Sequence, residues 1–237
     1  MTVYSKFHSS CACRAVSRST RGFGPGLPGA KGRPSRPLAD VLPPDEIERM
    51  PQLIEIVPPR EEWFEDFATL KQAVMRAAPD GAYIHHIGST AVPDLPAKDI
   101  IDLQLTVDSL ASVDDAAFER QGFKRIPGLI LDHSPPGLDL PEVELSKRFF
   151  RSMGRSANLH VREKGRFNQR YPLLCRDYLR AHPVAAGAYA QIKQRLARRF
   201  PTDEEAYYEI KDPVFDIIME GANDWAENTN WSEPPGD

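Results

Sequence analysis

The chain has 237 residues, 41% hydrophobic and 27% charged, with a formal net charge of -4, which is ordinary composition for a soluble domain. Residues 1–39 hold seven Lys or Arg and no acid, which leaves 23 bases against 34 acids, a charge of -11, for the remainder. An acidic body argues against broad nucleic-acid binding, a local basic groove aside, and no apolar run approaches the roughly 20 residues that a membrane-spanning helix requires.

Cys11, Cys13 and Cys175 give neither a disulfide framework nor zinc spacing, so a reducing compartment and a cytoplasmic location are expected. Residues 1–45 are rich in Arg, Ser, Gly and Pro and lack the apolar content to offset ordering entropy; disorder is expected there. The acid-free start superficially resembles a mitochondrial transit peptide, but Gly24-Pro25 and Pro28 interrupt any amphipathic helix, and an unstructured extension or an overlong start is the plainer reading. A single domain over 46–221 and a polar, frayed tail over 222–237 complete the expected organisation.

Leu53 to Val57 alternates as a short edge strand before Pro58-Pro59. From Glu61 to Ala78, Trp63, Phe67, Leu70, Val74 and Ala77 recur at helical spacing, with acids in the first turns, Arg76 in the last and Pro79 as the stop. Tyr83 to Ile87 reads as a strand ending in the turn Gly88-Ser89-Thr90. Ile100 to Val107 reads as a buried strand carrying Asp102 and Gln104 on one face. Asp108 is the expected N-cap of a helix over 109–121 that ends at Gly122. Short strands over 123–126, 145–151 and 157–162 follow, the last two as a hairpin across Met153-Gly154. Helices are expected at Leu173 to Ala181, Ala185 to Phe200, and from the capping box Thr202-x-x-Glu205, with Pro213 kinking or restarting the last. These elements specify an α/β (α+β) class: a mixed sheet packed by helices, with a helical C-terminal part.

The chemistry concentrates at Gly88-Ser89 and Asp102. Glycine permits a bend that a side chain would resist, and the Ser89 hydroxyl beside backbone N–H groups is a seat for phosphate. A carboxylate inside an apolar strand is either a metal ligand or a strand-end group capping a neighbouring N–H. Asp99 projects to the opposite face as a solvated acid. Lys98 either neutralises phosphate or snorkels along the surface. His86 and His160, each in a short strand, either form a transition-metal ligand set with Asp102 or simply hydrogen-bond within the fold, while His85 faces away. Arg148, Arg176 and Arg180 are candidate forks for a phosphate or carboxylate, with structural ion pairs as the alternative, and Lys211 is a further phosphate candidate. Cys175, within a helix, reads as packing.

The chain also resembles the GrpB family. The matching pieces are Ile54-Glu55-Ile56-Val57-Pro58 with Trp63; His86 through Pro93; Ala97-Lys98 through Ile100-Ile101-Asp102; Arg148-Phe149-Phe150; Leu159-His160-Val161; Arg176 through Pro183; and Tyr207, Lys211 and Phe215. The resemblance implies a nucleotidyltransferase-like fold, no settled activity, and occasional fusion to dephospho-CoA kinase. In that wider superfamily a Gly-Ser turn precedes an Asp-apolar-acid pair and a third carboxylate. Gly88-Ser89 and Asp102 fit, but Gln104 stands where the second acid would be, which puts two-metal phosphoryl transfer in doubt. Two functions follow as expectations. One is a nucleotidyltransferase that binds a nucleoside triphosphate with Mg²⁺ through Gly88, Ser89, Thr90, Asp102 and nearby bases and acts on a small acceptor. The other is a non-catalytic module for a nucleotide or CoA-related ligand or partner. A second carboxylate near Asp102, with Glu142 or Glu144 the nearest acids before the hairpin, would favour the enzyme.

Overall fold

The computed structural model describes residues 53–237, so the expectation of disorder over 1–45 and the start of the 46–221 domain lie outside the described residues. Helix α1 spans Glu62–Ala77 and buries Trp63, Phe67, Leu70 and Val74, the four large residues of its apolar stripe. Burying each contributes about 1.5–3 kcal/mol. Ala78 is already extended, as a residue before proline prefers.

Five strands follow: β1 (Tyr83–Ile87), β2 (Ile101–Val107), β3 (Phe123–Arg125), β4 (Lys147–Ser152) and β5 (Ala157–Glu163). Their order in the sheet is β1-β2-β5-β4-β3, with β2 and β5 parallel and the other pairs antiparallel. Because side chains alternate, the register divides the sheet into two unlike faces. One carries Ile84, Leu103, Leu105, Leu159, Val161 and Phe150 and packs under α1 and the short helix α2 (Asp115–Arg120). The other carries Asp102, Gln104, Asn158, His160, Arg162, Phe149 and Lys147, a polar face inside the molecule.

That polar face is met by α3 (Phe167–Ala181), which packs with α4 (Pro183–Arg199) and α5 (Glu204–Thr229) around Leu174, Cys175, Tyr189, Ile218, Met219 and Ala222. Val92 and Leu95, from the connection after β1, join the same cluster and so dock the Gly-Ser turn against the helices. Cys175 is buried there, as packing. Among the described residues no helix is long and apolar enough to cross a membrane.

Several expectations are corrected. Leu53 to Val57 forms no strand of the sheet; Val57 makes a single bridge with Ala97. The segment after β2 is broken: Ser109 caps a 3₁₀ turn at Leu110–Ser112, and the Asp114 side chain, accepting from Ala116 N at 3.0 Å, caps α2. Helix α3 starts six residues earlier than expected and carries Pro172 inside it, because Glu144 accepts from Phe167 N at 2.8 Å and anchors the first turn. Asp203, not Thr202, caps α5, which runs unbroken past Pro213. The tail does not fray from Ala222: that residue and Ala226 are buried, and the helix continues to Thr229. Asp99 is no solvated acid, since it accepts from Trp63 Nε1 at 2.8 Å and from Arg60 at 3.0 Å, and pairs with Arg155.

Candidate functional site

Gly88 follows β1 with φ +72°, and a 3₁₀ turn, Ser89–Ala91, follows it. A Cβ built on Gly88 would fall 2.5 Å from Asp102 Oδ2. The turn and the strand carboxylate are therefore in direct contact, across a register that pairs Ile87 with Asp102. Asp102 accepts from Asn158 Nδ2 at 2.9 Å and has no salt bridge among the described residues. Burial lifts its carboxyl above the ordinary range, against the pull of Asn158, Lys211, Arg162 and Lys98.

The residue two positions on has a different task. Gln104 is fully buried; its oxygen accepts from Arg162 at 2.6 Å and its nitrogen donates to the Gln169 carbonyl at 2.8 Å. It ties β2 to β5 and to α3 and does not line the cavity. The second carboxylate at the site comes from the long loop before β4: Asp132 lines the cavity and accepts from Arg162, Lys147 and Asn168 at 2.6–3.0 Å. Although burial opposes its charge, Arg162 and Lys147 hold Asp132 far below the usual carboxylate range. Glu142 and Glu144 are not at the site; Glu144 binds Arg166 as well as the start of α3.

Above the polar face lies a cavity of about 590 Å³, walled by the Gly-Ser turn, β2, β4, β5 and helices α3–α5. Its size suits a small-molecule ligand. Seven Lys or Arg line it against three Asp, so its walls favour an anion. Lys98 bonds Glu204 at 3.1 Å and the Tyr208 hydroxyl at 3.0 Å, and Lys211 bonds Asp212 at 2.9 Å. Arg151, in register with Asn158, has no carboxylate partner among the described residues. Leu129, Leu131, Phe149, Phe167 and Phe215 give the same cavity an apolar side.

Sequence reading missed Asp132, Arg151 and Lys193. Lys193 sits in the buried stripe of α4 with Ala186, Tyr189, Ala190, Leu196 and Ala197, and bonds Ser89 Oγ at 2.8 Å and the Pro96 carbonyl at 2.6 Å. A lysine within an apolar stripe was the available signal.

Other expected ligands support the turn from outside. His86 lies on the opposite face from Asp102, stacked on Phe67 at 4.8 Å with Nε2 3.0 Å from Thr90 Oγ1, while Thr90 lines the cavity. His85 shares the Asp102 face, the reverse of expectation, and is taken up by the Pro234 and Pro235 carbonyls, each at 3.1 Å. Arg148 points to α2, donating to Asp115 at 2.7 Å and the Val113 carbonyl at 2.9 Å. Arg180 donates twice to the Ala91 carbonyl, at 3.0 and 2.8 Å. Arg176 is buried, bonding Asp177, the His86 carbonyl and Asp237, although part of it lines the cavity. Only His160 of the expected metal set joins Asp102 on the cavity wall. Burial, with Arg162 and Lys147, pushes its imidazole well below the usual range, and the neutral ring's Nδ1 lies 3.1 Å from Arg162.

Residues 53–221 match the model of the GrpB protein family. The chain belongs to the GrpB family. A dephospho-CoA kinase of Mycolicibacterium paratuberculosis is 32% identical over 212 residues, covering 82% of this chain and 52% of that protein. UPF0157 protein YqkA of Bacillus subtilis is 32% identical over 182 residues, covering 75% of this chain and 49% of that protein. The chain thus spans about half the length of these two relatives. Among solved structures, that of the conserved protein GrpB from Enterococcus faecalis is similar with a TM-score of 0.60 at 27% identity, covering 72% of this chain and 99% of that one.

For this GrpB domain the donor set can be tested against the expected metal. Among the described residues no group of three or more His, Cys, Asp or Glu converges as a metal site. Mg²⁺ commonly takes one or two carboxylates plus ligand phosphates and waters, so Asp102 fits a single ion that arrives on a phosphate. A second ion does not fit: Gln104 offers an amide oxygen already used by Arg162, and Asp132 is saturated by cations.

Proposed function

We propose that this domain binds a phosphate-bearing small molecule, a nucleoside polyphosphate or a CoA-related nucleotide, in the cavity over the polar sheet face. The observation that carries the reading is the excess of seven bases over three acids around one cavity, with Arg151 lacking a carboxylate partner among the described residues. Arg151 is exposed to solvent, and an entering phosphate would pair with it through charge-assisted hydrogen bonds. The apolar side of the cavity accommodates a ring or chain. A CoA-related ligand is supported by the relative named dephospho-CoA kinase; that activity belongs to the relative.

A second reading, nucleotidyl transfer to a small acceptor on a nucleotidyltransferase-like fold, is favoured by the packing of Gly88 on Asp102. Under it Asp102 would hold one Mg²⁺ brought by the nucleoside triphosphate, and the ion would supply positive charge to the phosphates. Ser89 and the surrounding bases would hold the ligand in place.

Calorimetric titration of ATP, dephospho-CoA and CoA, with and without Mg²⁺, tests both. Binding that survives chelation and weakens roughly 10–100-fold in Arg151→Ala, the worth of a bond to a charged group, is the outcome expected for the binding module. Binding that requires Mg²⁺, is lost in Asp102→Asn and is accompanied by pyrophosphate release favours transfer. No binding of any of the three overturns the proposal.

A further inference from the structure

Three consecutive large apolar residues in the connection before β4, Leu129-Ile130-Leu131, are 42%, 52% and 39% exposed. Single apolar residues on a surface need no explanation, but an exposed run does. The backbone beneath this run is fixed. Leu131 bridges to Ser146, Asp132 N donates to the Leu145 carbonyl at 2.8 Å, and Lys147 N donates to the Ile130 carbonyl at 2.8 Å. The Asp132 carboxylate is held by Arg162 and Lys147, and His133 Nε2 lies 2.9 Å from Asp216 Oδ2 on α5. The leucines are thus presented on a rim that needs little further ordering when a ligand arrives.

Leu129 and Leu131 line the cavity together with Phe149, whereas Ile130, whose side chain alternates with theirs, does not. Each leucine therefore belongs to the cavity wall and to the outer surface at once, and the apolar wall runs out of the cavity along the two of them.

We propose that the ligand of this cavity is a water-soluble amphiphile, a phosphate ester whose flexible hydrocarbon arm leaves the cavity across Leu129 and Leu131. The phosphate end rests on the binding reading above; the apolar exit does not. Continuity with the cavity selects a ligand arm as the occupant. An arm covers the cavity-lining and the solvent-facing parts of the same two side chains together, which a flat partner surface does not. The bases of the cavity hold the phosphate end, and the leucines select among phosphate esters by the apolar length that each carries.

Titration of the full chain with inorganic phosphate and with n-alkyl phosphates from ethyl to octyl, followed by methyl NMR, tests the exit. Affinity should rise with chain length, by up to about fourfold for each methylene that is fully buried, and level off once the arm passes the rim. The methyl signals of Leu129 and Leu131 should shift more with octyl phosphate than with inorganic phosphate. Leu129→Ser combined with Leu131→Ser should leave the affinity for inorganic phosphate unchanged and weaken octyl phosphate at least tenfold, while Ile130→Ser keeps the native rise. If the double variant melts early, Leu129→Ser alone carries the comparison, and the methyl shifts of the native protein stand without either. An affinity that stays flat from ethyl to octyl phosphate, or a rise kept by the double variant, overturns the exit. Alkanols that bind as tightly as the phosphates of equal chain length keep the exit and sink the phosphate end; no binding anywhere in the series sinks both. A native dimer, or attachment to phosphatidate vesicles, that the double variant loses assigns the rim to a second copy or a bilayer and overturns the soluble arm.

Discussion

Gly88 and Asp102 share a space that only one of them can fill. A methyl group at position 88 would fall 2.5 Å from Asp102 Oδ2, and the backbone there has φ +72°, where an L side chain is strained. Gly88→Ala therefore combines a left-handed backbone penalty with overpacking, about 2–4 kcal/mol together. Urea denaturation should show that loss, and the variant should bind phosphate ligands less well than Asp102→Asn, because the turn moves as well as the carboxylate. A variant with native stability and binding would refute the contact.

Gln104 is expected to be structural. Replacing it with Glu keeps an acceptor for Arg162 but leaves the Gln169 carbonyl facing an oxygen instead of a donor. A loss of about 1–3 kcal/mol is expected for that unpaired buried group, with no gain in Mg²⁺ affinity. Tight Mg²⁺ binding by Gln104→Glu in a titration would restore the paired-carboxylate reading.

The features legible in the sequence were those set by local periodicity. The α1 stripe, the β2 run and the glycine turn each depend on neighbours a few residues away. Which face of β1 meets α1 does not, and so His86 was expected beside Asp102 and His85 away from it, the reverse of the fold. The start of α3 at Phe167 was not legible, because the group that anchors its first turn, Glu144, lies 23 residues upstream. Asp132 was invisible for the same reason, arriving from a loop with no periodic signal. The three arginines illustrate a further limit. A guanidinium that binds a carbonyl or Asp115 and one that binds phosphate look alike in sequence, and only Arg151, which was overlooked, faces the cavity unpaired among the described residues.

His86 should make the fold acid-sensitive. Burial, with Arg180 and Arg176 adding to it against the pull of Asp237, pushes its imidazole down to about 4 from an ordinary 6.5. The unfolded chain then binds the proton more readily than the folded one, so stability from this group is present above 6.5 and is lost as pH falls through 4. The loss should be on the order of 3 kcal/mol across that window. His86→Gln can keep the Thr90 bond but cannot titrate. Its unfolding free energy between pH 4 and 6.5 should fall less steeply than that of the native protein, and parallel curves would contradict the assignment.

The segment after α5 should behave as part of the fold. Trp231 Nε1 donates to Asp177 at 3.0 Å, and Glu233 accepts from the Tyr83 hydroxyl at 3.0 Å and from Gln169 Nε2 at 2.6 Å. Asp237 N donates to the Ile84 carbonyl at 2.9 Å, so this stretch covers β1, which ends the sheet. Gln169 is also the residue whose carbonyl holds Gln104, which connects the segment to the polar face through one side chain and one backbone group. Glu233→Ala leaves the Tyr83 and Gln169 donors without their acceptor and should cost about 1–3 kcal/mol, with Trp231→Ala similar through lost packing on the Arg170 guanidinium. Removing residues 230–237 should cost more than either and raise amide hydrogen exchange in β1 ahead of β2 and β5, since an uncovered end strand opens before a central one. Unchanged exchange at Tyr83–Ile87 after that removal would show that the segment contributes nothing to the sheet.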